Sequence, residues 1–435
     1  MNAARVGYTV LVTLAMPLAA LYLLWRSIHQ PAYRAHWGER FGWARHCRPV
    51  RPIIWIHAVS VGETRAAAPL IDALLSRWPQ HELLLTHMTP TGRATGAEVA
   101  SRWPGRVIQS YLPYDMPFAM RRFVRAFAPV VGIGMETEAW PNLLAAARTY
   151  GVPMVLVNAR LSEKSLAKAR RAPRLIGEAA RSFIAVLAQT EADAERIRTL
   201  GAQRVEVSGN LKFDLTPDPQ QVRLGESFRR AAGTRAVLLF ASTREGEEAP
   251  LLAALAQQHR DTDSAPLTIV VPRHPQRFDD VARLIAAGGH EVVRRSGSAD
   301  WNAPAQRSAA VMLGDSMGEM AMYYASSDIA FIGGSLMPLG GQNLIEACAV
   351  GTPVVVGLHT YNFAQATDDA LLAGAAQRVQ NAPDAIAAML AISKDSERLA
   401  RMRRAALAYA NQHRGATARA IECIAPLIDA ARERA

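Results

Sequence analysis

The stretch Ile53-Ile54-Trp55-Ile56-His57-Ala58-Val59, followed by Ser60-Val61-Gly62-Glu63-Thr64 and a helical run from Arg65 to Leu75, decides the class of fold. A short, unbroken apolar run rich in isoleucine reads as a strand buried on both faces, and such strands belong to parallel sheets covered by helices. Outward from it the pattern repeats. Further candidate strands are Leu83–His87, Val107–Leu112, Val130–Ile133, Met154–Val157 and Ile184–Ala188. Between Asn210 and Gly233 the alternation breaks at Pro217, Pro219 and two adjacent glutamines, which predicts a linker and a short helix. A second series follows, with strands expected at Val237–Ala241, Thr268–Val271, Glu291–Val293, Ala310–Leu313, Ile329–Ile332 and Pro353–Val356. The fold expected is α/β, with two doubly wound Rossmann-like domains (51–215 and 216–435) facing across a cleft. Ligands of such sheets sit beyond the carboxyl ends of the strands.

Composition narrows the setting. The chain has 435 residues, half of them apolar, with 49 Lys plus Arg against 38 Asp plus Glu. That is large enough for two cores and too apolar for a disordered chain. Three scattered cysteines, Cys47, Cys348 and Cys423, fit neither a disulfide framework nor a zinc site, so a reducing compartment is expected. The excess of positive charge, +11, points to an anionic partner. Residues 6–25 carry no charge, and about 20 such residues suffice to cross a bilayer. The apolar run continues through Leu21 to Trp25 past the small Ala19-Ala20 pair, which favours an uncleaved anchor over a signal peptide. Arginines 26, 34, 40, 45, 48 and 51 follow against the single acid Glu39, so the positive-inside bias puts the body in the cytoplasm. Residues 1–50 are therefore expected to form a membrane anchor helix and a basic juxtamembrane segment.

Chemistry is expected where polar groups emerge from strand ends. Glu63 falls in the first turn after a buried strand, where the helix dipole favours its carboxylate by about 0.3–1 kcal/mol. That displaces its proton equilibrium by less than one pH unit, so Glu63 is expected to remain charged and able to accept a proton; the plainer reading is a helix-start residue. His57, ending an apolar strand, reads as a hydrogen-bonded structural group. Glu136-Thr137-Glu138 emerges at another strand end, one carboxylate free to orient a substrate hydroxyl and its neighbour to cap the next helix. In the second half Gly333-Gly334-Ser335 and Gly340-Gly341 lead to Asn343-Leu344-Ile345-Glu346, a glycine-rich loop feeding a helix start, which suits a phosphate. Glu346 is placed to accept from ribose hydroxyls. Arg273, between Pro272 and His274-Pro275, and the turn Gly314 to Glu319 end neighbouring strands.

Other classes lose ground. There is no P-loop, no G-x-G-x-x-G fingerprint, no H-E-x-x-H and no G-x-S-x-G elbow. Asp279-Asp280 and Asp368-Asp369 read as solvated helix faces, so neither a metal nor a cofactor is expected. The basic region Arg160 to Arg181 carries no interleaved aromatics, which speaks against nucleic acid and fits acidic headgroups or a phosphorylated lipid.

Ten segments, in order, carry a resemblance: HAVSVGET (57–64), MTPTG (88–92), YLPYD (111–115), METEAWPNL (135–143), NARLS (158–162), GNLKFD (209–214), ASTREGEE (241–248), VPRHPQRF (271–278), LGDSMGEM (313–320) and FIGGSLMPLGGQNLIEA (331–347). In these the chain resembles the membrane-anchored 3-deoxy-D-manno-octulosonic acid (Kdo) transferases of lipopolysaccharide synthesis. The resemblance implies a GT-B fold and an inverting glycosyltransferase. CMP-Kdo would be the donor, bound by the second domain, and a lipid A precursor the acceptor, bound by the first at the cytoplasmic face of the inner membrane. It implies Glu63 as general base, Glu136 and Lys212 as groups supporting the transition state, and Pro272, Arg273, Met317, Gly318, Glu319, Asn343, Leu344, Ile345 and Glu346 as the CMP site. The chain departs from the family pattern at Gln342 and Arg244, where histidine is usual, and near Leu339, where a basic residue is common. Another GT-B glycosyltransferase or an epimerase using a UDP-sugar is the alternative reading.

Overall fold

The structure is a computed structural model that describes residues 3–43, 50–258, 265–298 and 300–432; Arg45, Cys47 and Arg48 lie outside these. It divides into two compact units, residues 1–215 with 414–435, and residues 216–413.

The first unit is a seven-stranded parallel sheet. Its strands are β1 (Ile53–His57), β2 (Glu82–His87), β3 (Val107–Tyr111), β4 (Val131–Met135), β5 (Met154–Ala159), β6 (Ala185–Ala188) and β7 (Val205–Val207), in the order β3-β2-β1-β4-β5-β6-β7. Every side chain of β1 and β4 is buried, as strands covered on both faces require. Strand order reverses between β1 and β4, which pair in parallel from Ile54–Val131 to His57–Gly134. Loops leaving these two strands diverge to opposite faces and open a crevice at their carboxyl ends.

The second unit repeats the plan with β8 (Val237–Thr243), β9 (Leu267–Pro272), β10 (Val293–Arg294), β11 (Val311–Leu313), β12 (Ile329–Ile332), β13 (Val354–Val356) and β14 (Ala376–Arg378), in the order β10-β11-β9-β8-β12-β13-β14. Its reversal lies between β8 and β12. Its own core gathers Phe240, Phe331, Leu251, Ile285 and Met389.

One expectation needs correcting. Residues 414–435 do not belong with the second half: the Ala416–Arg432 helix packs on the first unit. Its apolar stripe, Ala420, Ile421, Ile424 and Ile428, joins the core formed by Leu74, Leu75 and Trp78. Trp78 Nε1 donates to Asp429 Oδ1 at 2.9 Å, and the Asp214 carboxylate accepts from the Gly415 and Thr417 N–H groups at the start of the helix. An amphipathic stripe says that a helix must be covered but not by which core.

Helix α1 (Ala3–His29) is, among the described residues, the one helix long and apolar enough to cross a membrane, a candidate anchor by length and composition. Cys348 and Cys423 are buried free thiols.

Candidate functional site

Helix α2 (Val61–Arg77) starts directly beyond β1, at the first reversal point, and Ser60 caps it. The Ser60 hydroxyl accepts the Glu63 N–H at 3.4 Å and donates to Glu63 Oε1 at 2.9 Å; Glu63 Oε2 accepts the Val59 N–H at 2.8 Å. The plainer reading of Glu63 as a helix-start residue thus holds. The expectation of an acid held at ordinary strength fails. Burial pushes the Glu63 pKa from 4.5 up to about 7, helped by the negative charges of Glu136 and Glu138 and opposed by the Val59 and Ser60 hydrogen bonds. Desolvation outweighs the helix dipole, whose pull on the carboxylate is worth less than one pH unit.

Glu136 follows β4 with a positive φ of 56°, and Asn158 in β5 has φ 58°. Side chains in this region cost about 1–3 kcal/mol, and the surrounding contacts hold them there. Lys212 Nζ lies 3.3 Å from Glu136 Oε1, brought there by the 3-10 turn Leu211–Asp214. Asn158 Oδ1 accepts the Leu211 N–H at 3.1 Å, and its Nδ2 reaches Glu136 Oε1 at 3.5 Å. Asn158 therefore ties the lysine turn to the acidic strand end. His57 is buried, with Nδ1 2.9 Å from Thr86 Oγ1, as a hydrogen-bonded group at a strand end, and Nε2 3.7 Å from Glu138 Oε2. Glu138 also accepts from Trp140 Nε1.

The second unit builds a different site at its own reversal point. Gly333 and Gly334 leave β12 so close to β8 that a Cβ on Gly333 would meet the Ser242 carbonyl oxygen at 2.3 Å. Gly334 has φ +70° and Ser242 φ 55°. The loop's first N–H groups are not free for a phosphate. Gly334 N donates to Glu247 Oε2 at 2.7 Å, Leu336 N to Glu247 Oε1 at 3.1 Å and Arg244 N to Glu247 Oε2 at 2.9 Å. Glu247 is 1% exposed, and burial pushes its pKa up while these N–H groups pull it down. Sequence reasoning missed this residue. The signal was present: Gly246-Glu247 follows the first strand of its half as Gly62-Glu63 follows the first strand of the other.

Arg273 Nε donates to Gln342 Oε1 at 3.2 Å, and the Arg273 N–H to the Thr243 carbonyl, so β9, β8 and the glycine loop meet at this cation. Asn343 Nδ2 donates to Glu346 Oε1 at 2.9 Å, and Asn343 Oδ1 accepts the Ile345 N–H. Leu344 and Ile345 bury their side chains in the core, and the Ile345 N–H is already engaged, so their side chains contribute packing rather than ligand contacts. The helix that begins there, Ile345–Ala349, is only five residues long. Pro272 closes β9. Met317 is exposed, Gly318 has φ +81°, and Glu319 accepts from Arg295 and Ser316. Asp279 pairs with Arg294, Asp280 with Arg283 and Asp368 with Arg378, and among the described residues no cluster of three His, Cys, Asp or Glu could hold a metal.

A family model described as 3-deoxy-D-manno-octulosonic-acid transferase matches residues 35–215. The 3-deoxy-D-manno-octulosonic acid transferase of Bordetella pertussis is 45% identical, covering 92% of this chain and 95% of the relative. That of Haemophilus influenzae is 33% identical, covering 98% and 99%. In overall fold the chain is similar to a UDP-GlcNAc 2-epimerase from Neisseria meningitidis, with a TM-score of 0.58, 15% identity and coverage of 86% and 100%. At that identity the likeness concerns the two-sheet architecture alone.

Proposed function

The chain belongs to the 3-deoxy-D-manno-octulosonic acid transferase family, and from that premise we propose that it is an inverting glycosyltransferase of GT-B type that moves Kdo from CMP-Kdo to a lipid A precursor. Its place is the cytoplasmic face of the inner membrane, with α1 as the attachment. No nucleic acid takes part.

The observation that carries the reading is Glu63, a carboxylate at the reversal point of the first sheet with its pKa near 7. A base whose proton affinity lies near the working pH accepts a proton most effectively in the transition state. As the acceptor oxygen forms its bond to the anomeric carbon of Kdo, its proton passes to Glu63, and the bond from that carbon to the CMP phosphate breaks with its electron pair leaving on CMP. One displacement inverts the carbon. Lys212, held by Glu136, offers positive charge on the acceptor side. In the second unit Arg273 meets the growing charge on the departing phosphate, while Glu346, oriented by Asn343, accepts from ribose hydroxyls. Pro272, the Met317–Glu319 turn and the Leu344-Ile345 backbone complete the walls of the CMP site.

The test is incubation of the full-length enzyme with CMP-Kdo and a lipid A precursor, read by the mass of the lipid. Gain of one or more Kdo masses is expected, and an unchanged lipid overturns the reading. Competition by CMP but not UDP is expected; the reverse would point to a UDP-sugar enzyme of the same fold. A folded, CMP-binding Glu63→Gln enzyme with near-normal turnover removes Glu63 from its role.

A further inference from the structure

A crossing helix touches the body of its protein at one end only. Helix α1 touches it at both. In its first turns the Arg5 guanidinium pairs with Glu178 at 3.2 Å, Thr9 Oγ1 donates to Asn142 Oδ1 at 3.2 Å, and Tyr8 hydrogen-bonds to the Asp115 carboxylate. Asp115 is no loose surface acid: its two oxygens accept the Asn142 and Leu143 N–H groups at the start of the Pro141–Thr149 helix. At the far end Ser27 accepts from Arg34, the Arg26 guanidinium lies 4.9 Å from the Tyr33 ring, and Arg40 donates to the Met88 carbonyl. Between these ends Tyr8, Val12, Met16, Ala19, Leu23 and Ser27 are partly or fully covered. Their spacing of three and four marks one helix face.

The opposite face is bare and apolar. Leu11, Leu14, Leu18, Leu21, Trp25 and Ile28 are 60–70% exposed and share the same spacing. A 27-residue helix is about 40 Å long, enough to cross a bilayer. Crossing would carry Arg5, Tyr8 and Thr9 to the far side, away from Glu178, Asp115 and Asn142, which belong to the sheet's own helices and loops. The docked helix and the crossing helix are mutually exclusive.

From this we infer that α1 lies in the plane of the membrane surface, one face docked on the first unit and its leucine stripe sunk among the lipids, with both ends on the side of the catalytic body. The partner is a bilayer surface with anionic headgroups. An in-plane helix buries its apolar face about 5–10 Å deep and keeps its cations at headgroup level. Here Tyr22 and Trp25 supply the interfacial aromatics, and Arg26 and exposed Arg34 the flanking charge. The Pro173–Arg181 helix that holds Arg5 begins with exposed Arg174 and ends with exposed Arg181. Basic groups beside an apolar stripe complement acidic lipids. The inference rests on the membrane attachment proposed above and fixes its geometry.

Full-length protein carrying Ala3→Cys in a Cys47→Ser background, in inner membranes, separates the alternatives. In spheroplasts a membrane-impermeant maleimide is expected to leave position 3 unlabelled until the cells are lysed. Labelling of intact spheroplasts, or absence of residue 3 from the mature chain, overturns the inference while leaving membrane attachment standing. Recovery of the protein in the soluble fraction overturns both. In the same membranes a bis-maleimide is expected to join Arg5→Cys to Glu178→Cys within one chain. Loss of that crosslink with position 3 labelled from outside identifies a crossing helix.

Discussion

Each half of the molecule places a Gly-Glu pair just after its first strand, at the point where its sheet reverses, and the two glutamates sit in opposite surroundings. Glu63 accepts one backbone N–H and one hydroxyl and remains partly exposed. Glu247 accepts backbone N–H groups of Arg244, Gly334 and Leu336 and is sealed off from solvent. Position in the topology does not decide what a carboxylate does. The count of donors around it and its access to solvent do. Glu63, with fewer donors and one side open to solvent, suits the general base proposed for it. With both oxygens committed, Glu247 is a strut that sets the path of the glycine loop.

Replacing each glutamate by glutamine breaks the comparison most directly. For Glu63→Gln, turnover is expected to fall by about 10²–10⁴, the usual worth of a general base. CMP affinity, measured by calorimetry, should be unchanged. For Glu247→Gln, an amide nitrogen would face N–H groups that need an acceptor. Losing a hydrogen bond to a charged acceptor costs about 1.5–3 kcal/mol, so the KM for the donor should rise roughly 10- to 100-fold while the pH profile keeps its shape. A drop in kcat with the donor KM intact would argue against a strut. Parallel losses of CMP affinity in both variants would erase the distinction between the halves.

Stability should report the proton affinity of Glu63 directly. The folded Glu63 binds its proton more tightly than the unfolded residue, so between about pH 4.5 and 7 the folded state holds more protons and loses stability as the pH rises. Each tenfold displacement of that equilibrium is worth about 1.4 kcal/mol, discounted here because the side chain is partly exposed. Glu63→Gln removes this cost. Its melting temperature at pH 8 is expected to exceed that of the wild type by a few degrees, with the gap closing near pH 5. A Glu63→Gln enzyme less stable at pH 8 would show that the capping bonds outweigh the burial.

The sequence made the centre of each sheet and the edge strand β3 legible, and the edges at β7 and β14 illegible. Strand β12 matches the expected Ile329–Ile332 to the residue because both its faces are buried and all its residues are apolar. The edge strands β7 and β14, Val-Glu-Val and Ala-Gln-Arg, carry three residues each, too few for any periodicity to declare itself. In the same way the location of Glu63 could be read and its proton affinity could not. Location follows from the local strand-to-helix pattern, but the affinity depends on desolvation and on charges at the end of β4, more than 70 residues along the chain. Leu344 and Ile345 show the converse: a loop motif suggests ligand contacts, and the core claims the side chains.

The smallest expected effect isolates that long-range charge. Glu138 raises the Glu63 pKa through space, less than Glu136 does. Glu136 is the poorer probe, because removing it also takes away the ion pair with Lys212. Glu138→Gln keeps an acceptor for Trp140 Nε1 and deletes one negative charge. A base works only when deprotonated, so activity falls as pH drops through its pKa. Deleting a neighbouring negative charge lowers that pKa and carries the acid limb of kcat/KM to lower pH, by about a few tenths of a pH unit at a partly solvated site. The variant should therefore retain a larger fraction of its pH 8 activity at pH 6 than the wild type. An acid limb that stays in place would mean that burial alone sets Glu63, and one that moves upward would mean that Glu138 acts through His57, 3.7 Å away, rather than by its charge.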